Sequence, residues 1–374
     1  MMQMDKIIVV HRRAFQQRPP VISVVKYMTE LGYTPHVITT DVNEHYKDVF
    51  KKKGINYSVI PFQITKNFIL NALKGFIWGI KARREIKRLA KLNQNIVLWV
   101  EGNYTFESLT ARFINKYRHI LQHQELFDPL ILKGRMTIFT LKKIMPTAIA
   151  NLAPEYNRTQ IYRAMLQLKQ LPFLLPNKPA FVPSVEELAQ FRVKYKDIVE
   201  CISGRKLILY QGVLSGERNL DVFVKAIASL PKDKYVLMFL GKKSSKIDYY
   251  KSLNPELIHV NYIPAPDYLF ITSLAHIGIV TYLPVELDLI YCAPNKIFEY
   301  GAFGIPMLGN EIPGLKYSVE LAGCGLTCDD SSEVSILEAI EHIESHYTEM
   351  SKKARAFFDS IDNKSTIQKV LQLI

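Results

Sequence analysis

The sequence is poor in the features that would settle a function class at once. It has four cysteines, Cys201, Cys292, Cys324 and Cys328. Cys324 and Cys328 could face a metal, but no second pair and no nearby histidine completes a tetrahedral set. Incidental reduced thiols of a cytoplasmic protein are expected, with no metal and no cofactor. No G-x-G-x-x-G and no G-x-x-x-x-G-K-[ST] occurs, which argues against dinucleotide-dependent dehydrogenases and P-loop nucleotidases. No opening stretch joins a basic start, an apolar run and a small-residue cleavage site, so no secretion signal is expected. The best membrane-span candidate, residues 68–80, is too short and is broken by Asn71 and Lys74. Internal repeats and low-complexity tracts are absent as well.

One scarcity is local. Residues 1–190 hold 13 acidic side chains against 28 Lys and Arg, whereas the remainder holds 22 against 20. A balance of 48% apolar and 22% charged residues is that of a soluble globular protein, and 374 residues leave room for two domains with separate cores. A basic half joined to a nearly neutral one implies two tasks, one of them at an anionic surface. Nucleic acid, an acidic membrane face and an acceptor carried on a lipid phosphate all fit that charge.

Apolar β-branched runs alternate with helix-length segments, twice over. Strands are expected at 6–10, 36–40, 56–62, 95–99, 117–121 and 148–152, with a helix over 21–31 ending at Gly32. A Pro-rich crossing, 177–184, precedes a second series at 206–210, 235–240, 258–262, 277–280 and 306–308. The fold class is therefore α/β, with two facing Rossmann-like doubly wound domains whose strand carboxyl ends open on a cleft. The expected division is 1–180, 181–350 and a final helical stretch, 351–374, returning to the first domain.

Tyr291 to Gly314 reads YCAPNKIFEYGAFGIPMLGNEIPG. Pro294 suits a first helical position, and Gly304 followed by Pro306 suits a helix end. The N-terminus of that helix carries free N–H groups and the positive dipole end, which favour a phosphate. Lys296 in the first turn conflicts with the dipole unless an anion binds there. Glu299 lies one turn beyond Asn295, where a carboxylate can accept bonds from two ribose hydroxyls; a plain surface pair of Lys296 with Glu299 is the competing reading.

PNKIFEYGAFGIPML resembles the donor segment of retaining GT-B glycosyltransferases of carbohydrate-active family 4, in the branch reading P-N-K-x-x-E-Y. ILYQGVLSGERNL, from Ile208 to Leu220, is similar to the first strand and loop of their donor domain. APEYNRTQIYRAM and FLLPNKP resemble the end of their acceptor domain. The resemblance implies that Glu299 holds the donor ribose and that Arg218 and Lys296 hold the diphosphate, with backbone N–H groups near Gly212 and Asn295 close by. The family's earlier glutamate, eight positions before Glu299, is replaced by Tyr291, which leaves the sugar open.

On the acceptor side, QHQELFD resembles the H-E-L segment of some relatives and offers His123 and Glu125 to orient the acceptor hydroxyl; a loop histidine and a helix-start glutamate are the alternative. Glu101 and Asn103 are weaker candidates. The loop from His11, Arg12 and Arg13 to Arg18 follows the first strand, where the resemblance places the acceptor. Residues 66–92 mix Ile69, Leu73, Phe76 and Ile77 with Lys81, Arg83, Arg84, Lys87, Arg88 and Lys91. Such a helix suits an anionic membrane, at about 1 kcal/mol per basic residue near the leaflet; a packed helix with a solvated basic face is the alternative. The expected protein takes a sugar from a nucleotide sugar and passes it, with retention, to a glycan or lipid-linked acceptor, peripherally at the inner membrane face of a bacterium. A soluble GT-B enzyme acting on protein or small molecules is the alternative. A nucleic-acid binder explains the charge but not the donor motifs, and the interleaved Arg and aromatic platforms of single-strand binders are missing.

Overall fold

A computed structural model describes residues 6–65, 67–93, 95–214 and 220–374. The chain divides into two compact units, 1–180 with 362–374, and 181–361. In the first unit β1 (Lys6–His11), β2 (His36–Thr39), β3 (Asn56–Val59), β4 (Ile96–Glu101), β5 (Arg118–Gln122), β6 (Ala150–Ala153) and β7 (Phe173–Leu174) form one sheet of order β3-β2-β1-β4-β5-β6-β7. All its pairings are parallel. Ile7 and Val9 pack under Val21 and Val24 of the helix Pro19–Glu30 and under Ile367 and Val370 near the C-terminus. Ile8 and Val10, of opposite parity, are equally buried, because a second helical layer covers the other face. Phe68–Leu92, Asn103–Leu109, Ala111–Ile114 and Leu132–Ile144 make up that layer, each packed on its neighbour.

The second unit repeats the plan. β8 (Lys206–Gln211), β9 (Tyr235–Leu240), β10 (Ile258–Val260), β11 (Ala275–Val280), β12 (Met307–Asn310) and β13 (Gly325–Cys328) form a parallel sheet of order β10-β9-β8-β11-β12-β13. Leu207 and Leu209 join one apolar core with Ile297, Phe298 and Phe358, while Ile208 and Tyr210 join the other with Phe223 and Ile340. In each sheet the connection reverses direction at one place, between β1 and β4 and between β8 and β11, and that is where a crevice opens at the strand carboxyl ends.

Several expected boundaries move. β1 runs one residue further, to His11, and the first helix starts at Pro19, its two prolines supplying pre-set φ where no N–H bond is needed. The edge strands β3 and β10 are shorter than their apolar runs, and β13 was not anticipated from GLTC, a short run with little periodicity. The final helical stretch is two helices rather than one. Tyr347–Ser360 stays with the second unit, where Phe357 stacks on Phe298 at 5.7 Å and Arg355 donates to the Ala302 carbonyl at 2.7 Å. Only from Asp362 does the chain rejoin the first unit: Asn363 donates to the Pro176 carbonyl at 2.8 Å and Lys364 pairs with Glu30 at 3.0 Å. Cys201 is exposed and the other cysteines are buried, free thiols. Burial pushes Cys324 and Cys328 up to about 12, so neither offers a thiolate at neutral pH.

Candidate functional site

The richest polar constellation of the second unit lies at the carboxyl end of β8. Gln211 ends the strand and Gly212 follows at φ +132°, a region that favours glycine. Gly212 donates its N–H to the Leu240 carbonyl, and a Cβ on the adjacent Gly241 would lie 2.1 Å from the Gly212 oxygen. Two strand ends therefore approach more closely than any side chain permits. The Gly212 N–H is spent on that contact.

The helix Asn295–Ala302 faces this corner. Pro294 is its cap rather than its first residue, with extended dihedrals and no side-chain hydrogen bond. Lys296 and Glu299 are both buried, at 8% and 6% exposure, which removes the surface-pair reading. Lys296 Nζ lies 4.3 Å above the Tyr210 ring and 5.6 Å from that of Tyr282; such faces hold a cation without neutralising it. Asn310 fixes the Tyr282 backbone, accepting from its N–H at 3.1 Å and donating to its carbonyl at 2.8 Å. Glu299 accepts from Tyr268 Oη on one oxygen and from Gln211 Nε2 on the other, both at 2.5 Å, and Thr272 Oγ1 donates to Gln211 at 2.8 Å. Burial pushes the Glu299 carboxyl up, against the opposing pull of the Tyr268 hydroxyl, the Lys296 charge and the Gln211 amide. A carboxylate has about four acceptor positions, so two hydrogen bonds leave capacity for a ligand. Asn295 begins the helix, half-buried. Arg218 lies outside the described residues.

The equivalent corner of the first unit is built from different chemistry. His11, Glu101 and Gln122 lie side by side at the ends of β1, β4 and β5. Arg18 bonds Glu101 through Nη2 and, at 3.1 Å, through Nε. Both ring nitrogens of His11, Asn103 Nδ2, Gln122 Nε2 and Gln124 Nε2 are buried with no hydrogen-bond partner. Burial first, and then Arg18, lower His11 to about 3, so the ring is neutral at physiological pH.

Arg12 serves the fold. It donates from its N–H to Thr105 at 2.9 Å and from Nη1 to Ser108 at 2.7 Å, its guanidinium lies over the Phe62 and Tyr104 rings, and Gly75 has no Cβ because Arg12 fills that space. Arg13, half-buried, lies 5.2 Å over Tyr104. His123 is 2% exposed, between the rings of Phe106 and Tyr162, and burial lowers it to about 4. The expected edge position is thus a core position, because the His123 N–H pairs with the Leu152 carbonyl at 2.8 Å and carries the β5–β6 pairing one residue further. Glu125 stays half-buried; its carbonyl accepts from Tyr162 Oη and its charge acts on Arg18.

Sequence reasoning missed Gln211, Tyr268 and Thr272 in the second unit and Gln122 in the first, and placed His11 in the loop after β1 without a role of its own. Gln211 and Gln122 each end an apolar strand on a polar residue, a signal available in the sequence. Tyr268 reaches Glu299, and Thr272 reaches Gln211, only through folding. Among the described residues no three His, Cys, Asp or Glu side chains gather as metal ligands, and no helix is long and apolar enough to cross a membrane.

No protein-family model matches the chain, and no curated protein matches it. Solved structures do. A glycosyltransferase from Rickettsia africae ESF-5 is similar over 99% of this chain and 96% of its own, at 15% identity and a TM-score of 0.68. Anabaena HepE, in complex with UDP, is similar over 98% of both chains at 13% identity and a TM-score of 0.69. Sucrose-phosphate synthase from Thermosynechococcus elongatus is similar over 98% of both at 15% identity and a TM-score of 0.70. Identities this low establish fold, and the fold is the GT-B architecture of two parallel-sheet α/β domains.

Proposed function

We propose that the chain is a retaining glycosyltransferase whose second unit holds a nucleotide sugar and whose first unit holds a glycan or lipid-linked acceptor. The observation that carries this reading is the buried Glu299, oriented by Tyr268 and Gln211, one turn beyond a buried Lys296 at a helix N-terminus beside Gly212. Glu299 accepts the two ribose hydroxyls. Lys296, whose ammonium lies over the Tyr210 and Tyr282 rings, meets the diphosphate with Arg218.

As the bond from the sugar's anomeric carbon to the phosphate oxygen breaks, its electron pair passes to the diphosphate. The acceptor hydroxyl oxygen bonds the same carbon on the same face, and its proton goes to the departing phosphate. Lys296, Arg218 and the helix N-terminus favour the charge that grows on the leaving group, so they stabilise the transition state more than the ground state. The unpartnered polar atoms of His11, Asn103, Gln122 and Gln124 suit the hydroxyls of the acceptor, in place of Arg12 and His123, which the fold uses elsewhere; Glu125 and the Arg18–Glu101 pair complete that edge.

UDP-glucose, with which HepE is described, is the first donor to test. The reading places the protein peripherally at the cytoplasmic membrane face of a bacterium, in polysaccharide or glycolipid synthesis. The test is a thermal-shift screen of nucleoside diphosphates and nucleotide sugars. One of them should raise the melting temperature in proportion to its logarithmic concentration, and no shift with any of them would remove the proposal.

A further inference from the structure

Single exposed apolar residues are ordinary, but contiguous ones are not. The helix Phe68–Leu92 buries Trp78, Ala82, Ile86 and Leu89 and turns a second stripe outward. That outward stripe is apolar at its start, with Ile69 at 77% exposure, then Leu73, Phe76 and Ile77, and basic at its end, with Lys81, Arg84, Lys87 and Lys91 all exposed. The helix Leu132–Ile144 repeats the gradient. Leu130 and Leu132 are 80% and 73% exposed, Met136 and Phe139 continue the stripe, and Lys142 and Lys143 end it. Both helices follow strands of one parallel sheet, β3 and β5, so both start at its carboxyl edge and run back along the same face. Their apolar ends therefore share the edge that carries His11, Asn103 and Gln122, and their basic ends lie away from it.

Between the second helix and the Asn103–Ile114 segment lies an open groove of about 640 Å³, lined by Thr110, Arg112, Asn115, Phe139, Thr140 and Lys143. Lys143 Nζ lies 3.9 Å from the Phe139 ring. The groove's one carboxylate, Glu107, accepts from Thr137 at 2.9 Å. The helices of this layer carry no other carboxylate than Glu85, which is bonded to Arg88 and Ser58.

We propose that this face docks on an anionic lipid bilayer. The apolar starts of the two helices enter below the headgroups, their basic ends lie among the lipid phosphates, and the Arg112–Lys143 groove seats one phosphate. Basic side chains flank both apolar stripes, and the carboxylates of the layer are already bonded, so the complementary surface is negative as well as apolar. Docked in this way, the unpartnered polar corner of the first unit meets acceptors held in the membrane. The inference deepens the membrane part of the proposed function and is independent of the sugar-transfer chemistry.

Flotation of the full chain with vesicles tests it, using phosphatidylcholine alone and phosphatidylcholine doped with phosphatidylglycerol. The wild type should float only with the anionic vesicles, and added inorganic phosphate should not compete. Leu130→Ser/Leu132→Ser/Met136→Ser/Phe139→Ser should lower partitioning by about tenfold or more, because insertion of these side chains is the anchor. The melting temperature should hold, since all four are exposed. Arg112→Glu/Lys143→Glu should erase the preference for anionic lipid. Absence of wild-type flotation, unaltered flotation of both variants, or capture of DNA or RNA lost in the same variants would each overturn the proposal. Binding of UDP, measured in parallel, should be the same in all three proteins; its absence from the wild type would sink the donor reading and leave the lipid result standing.

Discussion

The two units share a topology and put opposite chemistry at the same place in it. Units 1–180 with 362–374 and 181–361 carry 30 basic and 12 acidic residues, and 18 and 23, respectively. At the switch point of the basic unit, neutral polar groups such as His11 and Gln122 are buried without partners. At that of the acidic unit, a carboxylate is buried with two donors already aimed at it. An unpartnered buried donor costs about 1–3 kcal/mol, a cost that a hydroxyl-rich ligand removes. The pre-oriented carboxylate instead binds a ligand without further reorganisation. The comparison teaches that one topology can prepare its two switch points for polar ligands by different means.

The sharpest way to break this comparison is Glu299→Ala. Hydrogen bonds to a charged group contribute about 1.5–3 kcal/mol, so transfer should fall roughly 10- to 100-fold with a cooperative melt retained, read by steady-state turnover beside calorimetry. Near-wild-type turnover would take Glu299 out of the site.

A smaller effect separates the units by pH. Burial lowers His11 to about 3 and His36 and His123 to about 4, all in the first unit. Their unfolded forms bind protons near 6.5, so between about 4 and 6.5 the unfolded chain holds more protons and stability rises with pH. The contribution is complete above 6.5 and is lost as pH falls towards 4. His123→Phe, which suits a slot between Phe106 and Tyr162, should flatten that loss by about 2 kcal/mol between pH 7 and pH 5. Melting curves at pH 7 and pH 5 measure it, and an unchanged pH dependence would show that the His123 ring titrates alike in the folded and unfolded chain. The smallest effect is that of a chelator. On the proposed roles of Lys296 and Arg218 at the diphosphate, turnover should stay within a factor of about two, and abolition of activity restored by a divalent ion would replace these cations with a metal.

Much of this architecture was legible because each sheet is covered on both faces. Fully buried parallel strands leave near-continuous apolar runs, as in Ile7–Val10 and Leu207–Tyr210. The polar corner at the end of β8 was legible where one short segment carries it, from Pro294 to Gly304. Its supports were not, because Tyr268 meets Glu299 across 31 residues of chain and Thr272 meets Gln211 across 61, and no local spacing encodes that. The first unit misled more. Arg12 and His123 occupy the positions of ligand-facing residues, yet the rings of Phe62, Tyr104, Phe106 and Tyr162 draw both into the packing. The Phe68–Leu92 helix obscured its two faces because its polarity changes along its length as well as around it.

Isothermal titration of a nucleoside diphosphate and its parent nucleoside into wild type and Lys296→Ala tests the central claim most directly. Lys296 is assigned to the phosphates and Glu299 to the ribose. Lys296→Ala should therefore weaken the diphosphate at least tenfold, as loss of a charge-assisted contact of about 1.4 kcal/mol or more implies, and leave the nucleoside within a factor of about two. Equal losses for the two ligands, or no loss for either, would contradict the assignment of this corner as a nucleotide-sugar site.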